Sequence, residues 1–274
     1  KAFFTSIAAV VEKVGTAGWY MTMISAAVSM GVFSLMYMLI KAHSGKNILE
    51  IYDETVGKKA GKALALISCL ILFLSASITL REFTDATNVY LLHETPPGFI
   101  VGMFILAMTV VCCLGIEGLG RLAKLLSYIL LFNFLVVMIL SYQRIEIYRL
   151  YPLLGYGLGN TIKNGIVRSS AYGEIILAGV FAKALNDTKD AGKIGYRSLI
   201  LGGLVIAIIL FAVIASFPYF IAIELADPLY IMVSLVQHGR FFQRVEVIFI
   251  FTWNLSTLIG LTAIFYGAIN CYCH

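Results

Sequence analysis

Apolar residues come along this chain in long blocks, without the three-to-four-residue rhythm of an amphipathic helix or the alternation of a half-buried strand. Blocks of roughly 17–25 such residues are long enough to cross a bilayer as helices. Seven can be drawn, over 19–40, 63–80, 99–115, 122–140, 165–185, 198–223 and 245–269. Residues 2–14 are apolar but too short to span, and read as the outer end of a helix whose start is missing. Two irregular stretches interrupt the series. In 142–164, Pro152 with Gly155, Gly157 and Gly159 opposes a helix. In 224–243, Pro228 can open a short helix with Leu229, Ile231, Met232, Leu235 and Val236 on its apolar face. That helix would lie flat at the outer surface or dip inward as a lid.

Composition agrees with a membrane protein. Of 274 residues, 60% are hydrophobic and 13% charged, and the mean hydropathy is +0.92. A soluble domain carries about 25% charged residues. The fold class expected is all-α, a polytopic transmembrane helical bundle. The net charge of +5 does not point to nucleic acid, because the basic residues sit mainly between the apolar blocks. Alternate loops carry eleven of the 20 Lys and Arg residues, among them Lys41, Lys46, Lys58, Lys59, Lys62 and Lys183. By the positive-inside rule those loops face the cytoplasm. Cys69, Cys112 and Cys113 fall inside apolar blocks and read as small apolar residues.

The fifth block holds the most informative residues, Ser169, Ser170, Ala171, Tyr172, Gly173 and Glu174. A carboxylate within a membrane span is costly and usually faces a cavity or a partner. Serines and a glycine beside it suit a helix that breaks in mid-membrane, the device from which secondary transporters build substrate sites. If the helix unwinds over 171–173, a new helix N-terminus can hold a carboxylate and freed carbonyls can hold an ammonium. An amino acid carries both groups. A side chain at Gly173 would fill such a break. The alternative is a continuous helix with Glu174 neutral or paired to another span. Glu174 itself is either a proton-exchanging group or an acceptor that fixes the backbone.

Other polar groups read more plainly. Arg81, Glu82 and Asp85 close the second block, and Arg81 and Asp85 can pair at i, i+4. They form either an interfacial cluster or an extracellular gate. Arg244, Glu246 and Trp253 open the last block as an anchor, and Trp19 anchors the first. Cys271-Tyr272-Cys273-His274 lacks a second ligand pair at finger-like spacing, so no metal is expected. No His-Glu-x-x-His, Gly-x-Ser-x-Gly or phosphate-binding glycine loop occurs, so neither an enzyme nor a cofactor is expected.

Several stretches in order carry a family resemblance. They are Gly45-Lys46-Asn47-Ile48-Leu49-Glu50-Ile51 followed by Val56-Gly57-Lys58, and then Leu80-Arg81-Glu82-Phe83. Next come Tyr151-Pro152-Leu153-Leu154 with Gly157, Tyr172-Gly173-Glu174, and Phe242-Gln243-Arg244-Val245-Glu246 with Trp253. The chain resembles the B-subunit family of bacterial spore germinant receptors, the endospore germination permeases. That family belongs to the amino acid–polyamine–organocation transporter superfamily. Its members often have phenylalanine where this chain has Tyr172.

The resemblance implies a ten-helix fold of two inverted five-helix repeats, of which this chain would carry the second to eighth helices as a single transmembrane domain over 1–274. The first helix would be partial and the last two absent, so the chain looks like a fragment. The ligand site of such folds draws on broken first and sixth helices, and residues 169–174 would be the sixth. The implied role is an inner-membrane subunit that binds an amino-acid-like germinant. It would act with A and C subunits, in the bacterial cytoplasmic membrane or the spore inner membrane. A proton- or sodium-coupled amino acid symporter and a conduit for ions or water are the competing readings, since one fold serves all three.

Overall fold

The structure, a computed structural model, describes residues 6–43, 46–184, 188–225, 227–236 and 245–273. All regular elements among them are helical. In chain order they are α1 (Ser6–Val14), α2 (Gly18–Ala42), α3 (Ile48–Val56), α4 (Lys58–Tyr90), α5 (Pro97–Cys113) and α6 (Gly115–Leu140). Then come α7 (Leu158–Arg168), α8 (Ile176–Val180), α9 (Thr188–Ser216), α10 (Tyr219–Glu224), α11 (Pro228–Ser234) and α12 (Val245–Tyr272). Among the described residues five helical runs are long and apolar enough to cross a membrane: Ile7–Ala42, Lys58–Tyr90, Gly115–Leu140, Gly192–Ser216 and Val245–Tyr272. Pro97–Cys113 is a shorter apolar helix.

Four of the expected spans differ in the structure, and the fourth does so by starting earlier, with α6 at Gly115. The second does not stop at residue 80, because α4 runs for 33 residues, to Tyr90. Its polar end stays helical through local bonds: Arg81 Nε donates to Asp85 Oδ2 at 2.9 Å and Thr84 Oγ1 to the Leu80 carbonyl at 2.8 Å. The sixth stops early, at Ser216, because Pro218 lacks an N–H and pushes Phe217 out of helical backbone. The chain resumes as α10. The fifth is interrupted, and its form is described below.

Lipid contact is written on the exposed faces. Along α4 the buried positions Ala65, Ser68, Leu72, Ala76, Thr79 and Phe83 recur every three or four residues and form one stripe. Leu66, Ile67, Leu70, Ile71, Phe73 and Leu74 on the remaining faces are all more than half exposed. In water such a surface would aggregate. Hydroxyls on the exposed faces of these helices return their protons to carbonyls four residues back, as Ser77 does to Phe73 and Thr109 to Ile105. Hydrocarbon offers no other partner.

The chain folds as two compact units, each assembled from three separated segments. The first comprises Lys1–Ser34, Asn133–Gly173 and Lys193–Phe249. The inner face of α1, with Ile7, Val10, Val11 and Val14 at 2% exposure or less, forms its centre and packs on α7, α10 and α11. The 142–157 segment is tied into this unit. Glu146 N–H donates to the Ala215 carbonyl at 2.9 Å, Arg149 to the Ser216 carbonyl, and Thr16 to the Pro152 carbonyl. Gly155 is required here. Its φ is +50°, and a Cβ would lie 2.0 Å from the Val14 carbonyl oxygen. In α11, Pro228 opens the helix as expected, and of the expected apolar face Leu229, Met232 and the following Val236 are buried, with Val233 added. Ile231 and Leu235 are half-buried at its edge. Residues 237–244, with the expected anchor Arg244, lie outside the described residues.

The second unit comprises Leu35–Phe132, Glu174–Gly192 and Ile250–His274. Within it α3 starts at a reciprocal cap, where Glu50 N–H donates to Asn47 Oδ1 at 2.9 Å and Asn47 N–H to Glu50 Oε2 at 3.1 Å. Lys183 Nζ reaches Glu50 Oε1 at 2.9 Å. Thr87 of α4 donates to Asn254 Oδ1 of α12 at 2.9 Å, which pairs two polar side chains between membrane helices.

Candidate functional site

The interruption in the fifth span starts where α7 ends at Arg168. Serine and glycine are weaker helix formers than alanine or leucine, and Ser169 spends its hydroxyl on the Ile166 carbonyl at 2.7 Å. From Ser169 to Ile175 the backbone is a 3-10 helix, and it returns to α-helical pitch over Ile176–Val180. The break is therefore a change of pitch and not an unwound stretch. Ile175 keeps right-handed helical backbone angles, so no bare N-terminus opens at the start of α8. A mid-span 3-10 run is a frequent mark of a hinge.

Two serines of α2 attend the change of pitch. Ser25 Oγ donates to the Gly165 carbonyl at 2.8 Å and Ser29 Oγ lies 3.4 Å from the Ser169 carbonyl. They sit one turn apart on α2; Ser25 reaches across to α7, whereas the Ser29 hydrogen goes back to the Ser25 carbonyl at 2.8 Å. Close approach makes this reach possible. A Cβ at Gly165 would stand 2.9 Å from Ile24 Cγ2, and one at Gly203 of α9 would stand 2.7 Å from Ala26 Cβ. Small residues at such crossings are how membrane helices pack without a hydrophobic drive between them.

Beside the junction lies a cavity of about 20 Å³, wholly within the first unit. Its polar lining is Thr22 and Ser25 from α2, Arg168 from α7 and Tyr172 from the 3-10 run. Its apolar walls are Ile7 and Val10 of α1 with Ile206, Ile209 and Leu210 of α9. The Tyr172 hydroxyl is buried and has no hydrogen-bond partner among the described residues. Space of this size holds about one water.

The expected site residues separate on this geometry. Tyr172 and Ala171 line the cavity. Ser169 and Ser170 are not in its lining, and Ser170 is exposed. A Cβ on Gly173 would meet nothing within 4 Å, so a side chain there fills no binding space. Glu174 belongs to the second unit, is half-buried, and makes no hydrogen bond or ion pair among the described residues. Arg81 and Asp85 close on each other along the exposed face of α4, and Glu82 beside them is half-buried. At the start of α12 the Glu246 Oε2 atom is buried without a partner among the described residues.

Thr22, Ser25 and Arg168 were not singled out by the sequence reading. Arg168 had a readable signal: it is a charged residue inside an apolar block, four positions before Tyr172. Thr22 and Ser25 had none, since hydroxyls in a membrane helix usually just bond back to their own backbone.

A family model described as spore germination protein matches residues 2–273. Spore germination protein KB of Bacillus subtilis (strain 168) is 24% identical over 251 residues, covering 90% of this chain and 66% of that protein. The putative spore germination protein YfkT of the same organism is 24% identical over 260 residues, covering 93% of this chain and 70% of that protein. Spore germination protein A2, again from Bacillus subtilis, is 26% identical over 148 residues, 52% of this chain and 39% of that protein. The chain spans about two thirds of the length of the first two relatives.

Proposed function

The chain belongs to the spore germination protein family, and from that premise we propose that it is the membrane subunit of a nutrient germinant receptor. It is a multi-pass membrane protein of the cell or spore inner membrane, and its family is not an enzyme family. On this reading it binds an amino-acid-like germinant within the membrane and passes the event to A and C subunits. One observation carries the proposal. Four polar side chains, Thr22, Ser25, Arg168 and Tyr172, converge on an otherwise apolar cavity at the point where a span changes pitch. A few convergent polar groups in an apolar pocket are the usual form of a small-molecule site.

In this state the cavity is too small for an amino acid, so the walls must part to admit one. The wall suited to moving is the 3-10 run, whose hydrogen bonds are poorer than those of the α-helix on either side. Ligand would then stabilise one arrangement of that run over another, which is how a bound solute becomes a signal.

The test is binding and uptake of labelled small apolar amino acids in proteoliposomes, with the protein alone and with its A and C subunits. Saturable binding without accumulation under an imposed proton gradient is expected. Gradient-driven accumulation would instead establish the symporter, whose sites are also built at interrupted helices. Absence of binding in both preparations would overturn the proposal.

A further inference from the structure

We propose that Arg168 is the anion anchor of this cavity, and that the site takes a zwitterion in one orientation: carboxylate on Arg168 and Tyr172, ammonium on Thr22 and Ser25. The inference rests on the binding role proposed above and gives that site its polarity. It starts from the protons. A hydroxyl has one hydrogen to donate and two lone pairs that accept. Thr22 Oγ1 has committed its hydrogen to the Trp19 carbonyl at 2.7 Å, and Ser25 Oγ has committed its own to the Gly165 carbonyl at 2.8 Å. What α2 has left for the cavity is therefore acceptors.

The other polar pair in the lining has the reverse character. Arg168 carries five N–H donors and no acceptor, and its charge is permanent. Tyr172 stands four residues on, lines the same space, and has a buried hydroxyl with no partner among the described residues. Donors from α7 and the 3-10 run thus share one small cavity with acceptors from α2. A simple anion would meet lone pairs on the α2 side, and a simple cation would meet Arg168. A molecule with both charges suits both sets of groups. Ile206, Ile209 and Leu210 complete the enclosure with aliphatic surface, which selects a small apolar side chain. The helix N-terminus expected to hold the carboxylate is not available, because helical backbone runs unbroken from Ser169 into the five-residue α8. Arg168 supplies the positive charge in its place.

The experiment is calorimetric binding to the purified protein in nanodiscs, using L-alanine, L-alaninamide, propionate and propylamine as probes. The wild type should bind L-alanine most tightly, with the amide weaker by about tenfold to a hundredfold, the range of a hydrogen bond to a charged group. Arg168→Gln should cost L-alanine and propionate a similar factor and leave L-alaninamide unchanged, and Arg168→Lys should recover part of the loss. Equal losses for alanine and its amide, or an unchanged alanine affinity in Arg168→Gln, would overturn the anchor while leaving the amino acid reading intact. Binding of propionate that depends on Arg168, with no amino acid bound, would keep the anchor and remove the germinant reading. If none of the four probes binds the wild type, alone or with its A and C subunits, both fall. If Arg168→Gln does not remain monodisperse, the wild type decides alone, and equal affinity for acid and amide would overturn the anchor.

Discussion

Tyr172 shows how a single residue can trade stability for recognition. Its hydroxyl is buried with no partner among the described residues, a state that costs about 1–3 kcal/mol. Tyr172→Phe removes that cost and nearly preserves shape. The variant should melt at the same temperature as wild type or higher, while its affinity for a carboxylate ligand falls several-fold. Thermal unfolding and calorimetry on one preparation would read both, and a variant both less stable and unaltered in affinity would contradict this account. Ser25 is the structural counterpart. Its proton goes to the Gly165 carbonyl, so Ser25→Ala removes that interhelical bond and leaves the oxygen only the Ser169 N–H. The expected loss is modest, about 0.5–1.5 kcal/mol, as measured for hydrogen bonds between membrane helices. Denaturant titration in detergent would detect it.

At the scale of elements, the glycines divide by what surrounds them. Gly203 lies against Ala26 and Gly165 against Ile24, whereas a Cβ at Gly173 has open space. Gly203→Val should therefore force α9 away from α2 and cost roughly 1–3 kcal/mol, with loss of the cavity. Gly173→Ala should be accepted without steric penalty and should favour α-helical pitch by up to about 1 kcal/mol. Comparing unfolding midpoints of the two variants checks the contrast, and a Gly173→Ala protein as damaged as Gly203→Val would refute it. The same pair shows what the sequence could and could not say. The interruption at 169–174 was legible, because serines, a glycine and a glutamate stand out in an apolar block. Its form was not, because nothing in 169–174 itself distinguishes a 3-10 run from an unwound stretch. Arg81 misled for a similar reason. Charge marked the end of the apolar block, but the i, i+4 bond to Asp85 carries α4 on to Tyr90.

For the whole molecule, the blocks of apolar sequence were enough to give an all-α membrane bundle, and the distribution of Lys and Arg assigns its direction. The direction follows from a margin of only eleven residues to nine, so a structural handle is needed to test it. Helix α4 provides one. At about 1.5 Å per residue its 33 residues extend for roughly 50 Å, more than the hydrocarbon thickness, so its two ends must emerge on opposite sides. Lys58, Lys59 and Lys62 mark the first turns, and His93 and Glu94 follow the last. Crossing in the reverse sense would place three exposed lysines outside, against the charge preference of insertion. Cysteines placed singly at Lys59 and His93, with the five native cysteines replaced, make the prediction measurable by an impermeant maleimide. The His93 site should label in intact cells, and the Lys59 site only after permeabilisation. The opposite pattern would invert the assignment for the chain. Labelling of both sites in intact cells would mean that α4 does not cross the membrane.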